Sequence, residues 1–143
     1  MQLQQKADSL LITVFAAPAQ LRAGLVDVSV LIQNFENDQP VLDAQVQVIL
    51  RSQSGMTVRG EATRAEAKNK LLYSTLVNLP ESGQWQIEVE VKQGAKDSKA
   101  AGSLVVAPAL PFFLGYWRWL ALPPFAIVLF ILNQRLKNRM RAR

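Results

Sequence analysis

The chain predicts an all-β antiparallel sandwich followed by a single membrane-spanning helix. Three features carry that prediction. Short apolar runs in residues 1–106 alternate with polar residues at period two. Clusters of Gly, Pro, Asn and Asp fall between those runs. The stretch from Pro111 to Arg143 then sets an aromatic cluster, an apolar run and a basic tail in that order.

Alternation at period two is the mark of a half-buried strand, because successive side chains leave opposite faces of a pleated backbone. Leu10, Ile12 and Val14 form one face of a first strand. Val26, Val28, Val30 and Ile32 alternate with Asp27, Ser29, Leu31 and Gln33 in a second. Ala44, Val46, Val48 and Leu50 do the same against Gln45, Gln47, Ile49 and Arg51. Residues 58–67 give a weaker edge strand, and Leu71, Tyr73, Thr75 and Val77 share a face in the next. Trp85, Ile87, Val89 and Val91 alternate with Gln86, Glu88, Glu90 and Lys92, and Gly102–Val106 closes the domain. Reversals are expected at Asn34–Pro40, Gln53–Gly55, Pro80–Gly83 and Gly94–Asp97, which carry the residues tight turns require. About seven short strands at this spacing point to a sandwich of immunoglobulin-like type, with Trp85, Tyr73 and the valines between two sheets.

The run Leu10–Ala19 has the apolar length of a signal-peptide core. Only Lys6 precedes it as a positive charge and Asp8 adjoins it, so the strand reading is preferred. Leu31, Ile49, Leu72 and Leu76 fall on the phase opposite the core. Converging in space, they would make a docking patch.

Residues 107–111 form a proline-rich, stiff linker. A transmembrane helix is expected over residues 112–134 and a cytoplasmic tail over 135–143. Trp119–Leu132 holds 14 uncharged residues, about 21 Å of helix. A hydrocarbon core about 30 Å thick wants about 20 residues, and extending back to Pro111 gives 22 with Arg118 as the one charge. Phe112, Phe113, Tyr116, Trp117 and Trp119 suit the headgroup layer, where the Arg118 guanidinium can snorkel to phosphates or meet a partner's carboxylate. Pro123 and Pro124 remove amide donors inside the run, so either one helix kinks there or a short interfacial turn precedes a steeper helix; the single bent helix is preferred. Arg135, Lys137, Arg139, Arg141 and Arg143 follow. Positive charge beside a span stays on the cytoplasmic side and contacts anionic headgroups, which puts the sandwich outside a bacterial inner membrane, in the periplasm.

The net charge of +5 is unevenly placed. Residues 1–117 hold 10 Lys and Arg against 11 Asp and Glu, and the other six positive charges lie in 118–143. The basic balance therefore reports topology, and nucleic acid is not an expected partner. With no Cys there is no disulfide or thiolate nucleophile, and with no His there is no imidazole base or common metal ligand. Met1, Met56 and Met140 are too scattered to hold copper(I). No metal, cofactor or enzymatic activity is expected. Glu36, Asp38 and Asp43 read as turn formers, lacking the regular oxygen spacing of a calcium loop. Glu88 and Glu90 read as a solvated strand face, and Ser52, Ser54 and Ser74 have no histidine to activate them.

The elements in order also carry a family pattern. Ala17-Pro18 and Gly24 precede the VDVSVLIQ strand; Gln39-Pro40-Val41, Ala44, Val46 and Val48 follow, then Ala62-Thr63, Leu72-Tyr73, Leu79-Pro80 and Gly83-Gln84-Trp85. Over residues 10–106 this resembles the YtkA-like and FixH-like extracytoplasmic domains of bacteria. The resemblance implies an immunoglobulin-like sandwich, with Gly83 supplying a turn, Trp85 the core plug and Ala44 a tight inter-sheet contact. It also implies a place beside a membrane redox complex. The chain departs from that family in lacking the His and Met of its copper-handling members and in carrying its anchor at the C-terminus.

The expected function is a non-catalytic accessory subunit of a multisubunit bacterial membrane complex. The resemblance makes an energy-transducing one the choice, a photosynthetic reaction centre or a respiratory electron-transfer complex whose periplasmic face the sandwich braces. The expected partners are that complex's integral membrane subunits and the lipid bilayer. The alternatives are a transient assembly factor of a redox complex and a membrane-tethered ligand-binding module.

Overall fold

The computed structural model describes residues 1–111 and, beyond them, position 130 alone. The chain divides into two units, Met1–Ala109 and Leu110–Arg143. The first is built from eight strands: β1 (Leu3–Ala7), β2 (Leu10–Ala17), β3 (Gly24–Asn34), β4 (Gln45–Ser52), β5 (Thr57–Ala62), β6 (Leu72–Leu79), β7 (Gly83–Gln93) and β8 (Lys96–Val106). They form two four-stranded sheets, β1-β2-β3-β6 and β5-β4-β7-β8, with every pairing antiparallel.

The alternating residues make the core between the sheets. Ile12, Val14, Val28, Val30 and Ile32 from the first sheet meet Val46, Val48, Leu50, Ile87 and Val89 from the second, all at most 1% exposed. Each fully buried Val or Ile contributes roughly 1.5–3 kcal/mol by leaving water. Trp85 fills one end of this layer at 1% exposure, and its indole N–H donates to the Glu81 carbonyl at 3.2 Å. Tyr73 plugs the other end. Its hydroxyl donates to the Val41 carbonyl at 3.0 Å and accepts the Ala44 amide at 3.1 Å. One buried side chain thus ties down the segment that carries the chain from β3 across to β4. Ala44, expected as a tight inter-sheet contact, is half-buried and serves as this anchor point. Among the described residues, no buried side-chain nitrogen or oxygen lacks a hydrogen-bond partner.

Two glycines let the sheet edges close on each other. A Cβ on Gly60 of β5 would lie 2.7 Å from Thr75 Oγ1 of β6, and one on Gly102 of β8 would lie 3.0 Å from Leu3 Cδ1 of β1. On the β5–β6 side, Thr63 and Ser74 exchange backbone hydrogen bonds at 3.0 and 2.9 Å. On the β1–β8 side, Gln5 accepts the Ala101 amide at 2.9 Å and Asp8 accepts the Ser98 hydroxyl at 3.0 Å. Edge strands are open templates for pairing with other chains, and here both seams are partly covered.

The structure corrects the sequence reading in three places. There are eight strands, because the mostly polar residues 3–7 form β1 against β2. β8 begins at Lys96, so the reversal from β7 is far tighter than residues 94–97 suggested. Leu71 stands outside β6 and is 45% exposed, whereas Tyr73, Thr75 and Val77 do share the core face. The apolar run at Leu10–Ala17 is a strand bonded on both sides.

Candidate docking surface

Each sheet turns one face to the core and one outward, and the two outward faces differ. That of the second sheet carries Arg59, Ile49, Glu88 and Ala101 in one cross-strand row and Glu61, Gln47, Glu90 and Lys99 in the next. Arg51 Nη1 lies 2.7 Å from Glu88 Oε2, and Lys99 Nζ lies 3.4 Å from Glu88 Oε1 and 2.5 Å from Glu90 Oε1. The Arg51 guanidinium, with help from Lys99, holds the Glu88 carboxyl below its ordinary value against a smaller opposing effect of burial. Glu90, then Glu88, raises Lys99. This face is finished for water.

The outward face of the first sheet is not. Its rows run Lys6, Leu11, Gln33; then Gln4, Thr13, Leu31, Leu72; then Phe15, Ser29, Ser74; then Ala17, Asp27, Leu76. Leu31 and Leu72 sit directly opposite each other across β3 and β6, both half-buried. Leu11 and Phe15 are half-buried on the neighbouring strand. The small polar side chains between these residues are sealed: Thr13 is 4% exposed and Ser74 is 5% exposed. Their hydroxyls are engaged locally, Ser74 with Ser29 at 2.7 Å and Thr13 with Gln4 at 3.3 Å. The result is an apolar patch of Leu11, Phe15, Leu31 and Leu72, bordered by Lys6, Gln4, Gln33 and Asp27.

Of the four residues expected in a docking patch, Leu31, Leu72 and Leu76 share this face. Ile49 does not. It lies on the outward face of the other sheet, flanked by Arg59 and Glu88, and is only 4% exposed. Strand phase shows that a residue leaves the core but not which sheet carries it. Leu11 and Phe15 were missed although they alternate with Ile12 and Val14 in β2; their place beside Leu31 depends on register. The expected membrane residues Phe112, Phe113, Tyr116, Trp117, Arg118 and Trp119, the kink at Pro123 and Pro124, and the anchors Arg135, Lys137, Arg139, Arg141 and Arg143 lie outside the described residues. Among the described residues, no helix is long and apolar enough to cross a membrane.

Polar groupings elsewhere have structural explanations. Ser52 and Ser54 share a hydrogen bond at 2.7 Å, Ser54 also bonds Glu81, and the two hydroxyls hold the Glu81 carboxyl below its ordinary value. They knit the β4–β5 turn to the β6–β7 loop. Asn34 and Asn37 side chains accept the amides of Glu36 and Gln39, so the acidic β3–β4 loop is built by turn chemistry. Among the described residues, no group of three or more carboxylates gathers to hold a metal ion.

No family model matches the chain, and no curated protein matches its sequence. Among solved structures it is similar to the crystal structure of a DUF4426 family protein from Pseudomonas aeruginosa PAO1, with a TM-score of 0.57 and 14% identity. The match covers 76% of this chain and all of that one. What the two share is the fold: an all-β protein of two antiparallel sheets, a β-sandwich.

Proposed function

We propose that this chain is a non-catalytic accessory subunit of a multisubunit bacterial membrane complex, its sandwich held outside the inner membrane by a C-terminal helix. The observation that carries the reading is the order of residues 111–143: aromatic cluster, apolar run, basic tail. The outward face of the first sheet supports it, with Leu11, Phe15, Leu31 and Leu72 offering an apolar surface to another subunit. In this reading β2, β3 and β6 stack on β5, β4, β7 and β8 as in an immunoglobulin-like Greek key, in keeping with the resemblance to YtkA-like and FixH-like domains. That resemblance makes an energy-transducing complex the choice of partner, a photosynthetic reaction centre or a respiratory electron-transfer complex.

The test is gentle detergent extraction of membranes from the source organism, followed by size separation and identification of what co-migrates. The expected result is constant stoichiometry with a large haem- or pigment-bearing complex. Migration alone, at the size of a monomer or dimer, overturns the subunit reading in favour of a transient assembly factor or a tethered binding module.

A further inference from the structure

The two ends of the sandwich are chemically unlike, and the chain leaves the described domain at one of them. Backbone bonds define that exit end. The Ala23 amide donates to the Ala107 carbonyl and the Ala107 amide to the Leu21 carbonyl, both at 2.9 Å, which fastens the β2–β3 loop to the residue just after β8. Arg22 Nη1 donates to the Pro108 carbonyl at 3.1 Å. The β4–β5 turn and β6–β7 loop lie at the same end, joined by Gln53 and Gln84 and reached by the pairing of Gly83 with Val106. The linker is therefore pinned to the domain through Pro108, and its free part is shorter than the expected 107–111.

Charge separates the ends. The exit-end segments 18–23, 53–56, 80–82 and 107–111 hold two charged side chains, Arg22 and Glu81. The opposite-end loops 8–9, 35–44 and 63–71 hold eight. Exposed apolar side chains occur at both ends, but Phe35, Leu42 and Leu71 at the charged end are 38–46% exposed, and more exposed ones lie around the exit end. Leu25 is 72% and Leu76 67% exposed at the margin of the first sheet, Val105 is 73% exposed at the margin of the second, and Met56 is 41% exposed in the turn between them. They form a collar on both faces, where a laterally docked protein would cover one. The exposed Arg22 guanidinium at the same end, bonded to the Pro108 carbonyl and to Gln20, is a donor suited to phosphate.

We infer that this collar rests on the headgroup layer of the lipid bilayer, with Leu25, Met56, Leu76 and Val105 dipping into the interface and Arg22 meeting lipid phosphates. The inference rests on the proposed anchor, since residues 112–143 begin where the collar lies. It adds to that anchor a fixed orientation: the charged loops point away from the membrane, and the Leu31–Leu72 face stands sideways, toward a neighbour in the same membrane.

Because the chain has no cysteine, fluorophores can be placed singly in the full-length protein. Met56→Cys, Leu25→Cys and Val105→Cys report the collar; Glu36→Cys and Lys68→Cys report the opposite end; Ala126→Cys reports the anchor. Each variant is reconstituted at one chain per nanodisc, so that no second copy can cover the collar. Lipids carry a quencher either at the headgroup or deep in the acyl chain. The expected result is loss of fluorescence at positions 25, 56 and 105 with headgroup quencher, none at 36 and 68, and loss at 126 with the deep quencher. Quenching at 126 alone overturns the collar and leaves the anchor standing. Absence of quenching at 126 removes the anchor and the collar with it. Shielding of the collar from an aqueous quencher without any effect of the lipid quenchers also overturns the inference, because protein then covers those residues.

Discussion

The two outward faces of the sandwich are made by the same strand geometry and solve opposite problems. On the second sheet, the residues alternating with the core include Arg51, Glu88, Glu90 and Lys99, which pair with one another and with solvent. On the first, the corresponding positions include Leu11, Phe15, Leu31 and Leu72, which shelter Thr13 and Ser74 beneath them. An antiparallel sheet commonly has one wet face and one dry one. The second sheet follows that rule, whereas the first carries an apolar patch of Leu11, Phe15, Leu31 and Leu72 on its outward face, bordered by Lys6, Gln4, Gln33 and Asp27. That difference is what the proposed docking of a neighbour at the first sheet rests on.

The largest expected effect strikes the core beneath both faces. Trp85→Ala removes the largest fully buried side chain, with an expected loss of about 3–5 kcal/mol. Urea unfolding of the domain should show one cooperative transition at a lower midpoint. Two separate transitions would mean the sheets are not one folding unit. Tyr73→Phe is next. It leaves the Val41 carbonyl and the Ala44 amide without their shared partner, at a cost of about 1–3 kcal/mol. Hydrogen exchange should speed up at Ala44 and along the β3–β4 crossover while the β7–β8 hairpin keeps its protection relative to global stability.

Smaller changes address the faces themselves. Leu31→Thr with Leu72→Thr keeps good strand formers at both sites and removes one cross-strand apolar pair, worth roughly 0.2–1 kcal/mol. Chemical denaturation should register only that small loss. The smallest effect belongs to Glu88→Gln. The Glu88 carboxyl sits below its ordinary value of 4.5 in the folded state. Its contribution is therefore fully present above that value and lost as pH falls through the lower folded value. As the side chain is partly exposed, the change is at most about 0.5 kcal/mol. The variant should lose that small amount at neutral pH, match the natural protein in acid, and so flatten the acid limb of the stability profile slightly.

Much of the fold was legible because the core strands are near-strict alternations. Val26 to Ile32 and Trp85 to Val91 need only period two to be read correctly. β1 was not legible, because Gln4, Gln5 and Lys6 at its centre stay exposed and only Leu3 and Ala7 at its ends pack against the core. The docking face was half legible for a related reason. Leu31, Leu72 and Leu76 announce themselves by phase, yet grouping them with Leu11 and Phe15 and setting Ile49 aside needs the strand order. That order is fixed by contacts between residues far apart in sequence, such as Leu31 with Leu72. The exit-end collar is a property of strand ends and a turn brought together by the sandwich, and no single stretch of sequence displays it.

In the proposed function the first sheet faces another subunit of the complex and the second faces water. The most direct measurement compares three forms of the full chain in the source membrane after gentle extraction: the natural protein, Leu31→Thr with Leu72→Thr, and Arg51→Gln with Lys99→Gln. The natural protein and the Arg51/Lys99 variant are expected to co-migrate with the same large complex, while the Leu31/Leu72 variant stays folded and is released. Equal retention of both variants, or release by the Arg51/Lys99 change alone, would contradict that arrangement.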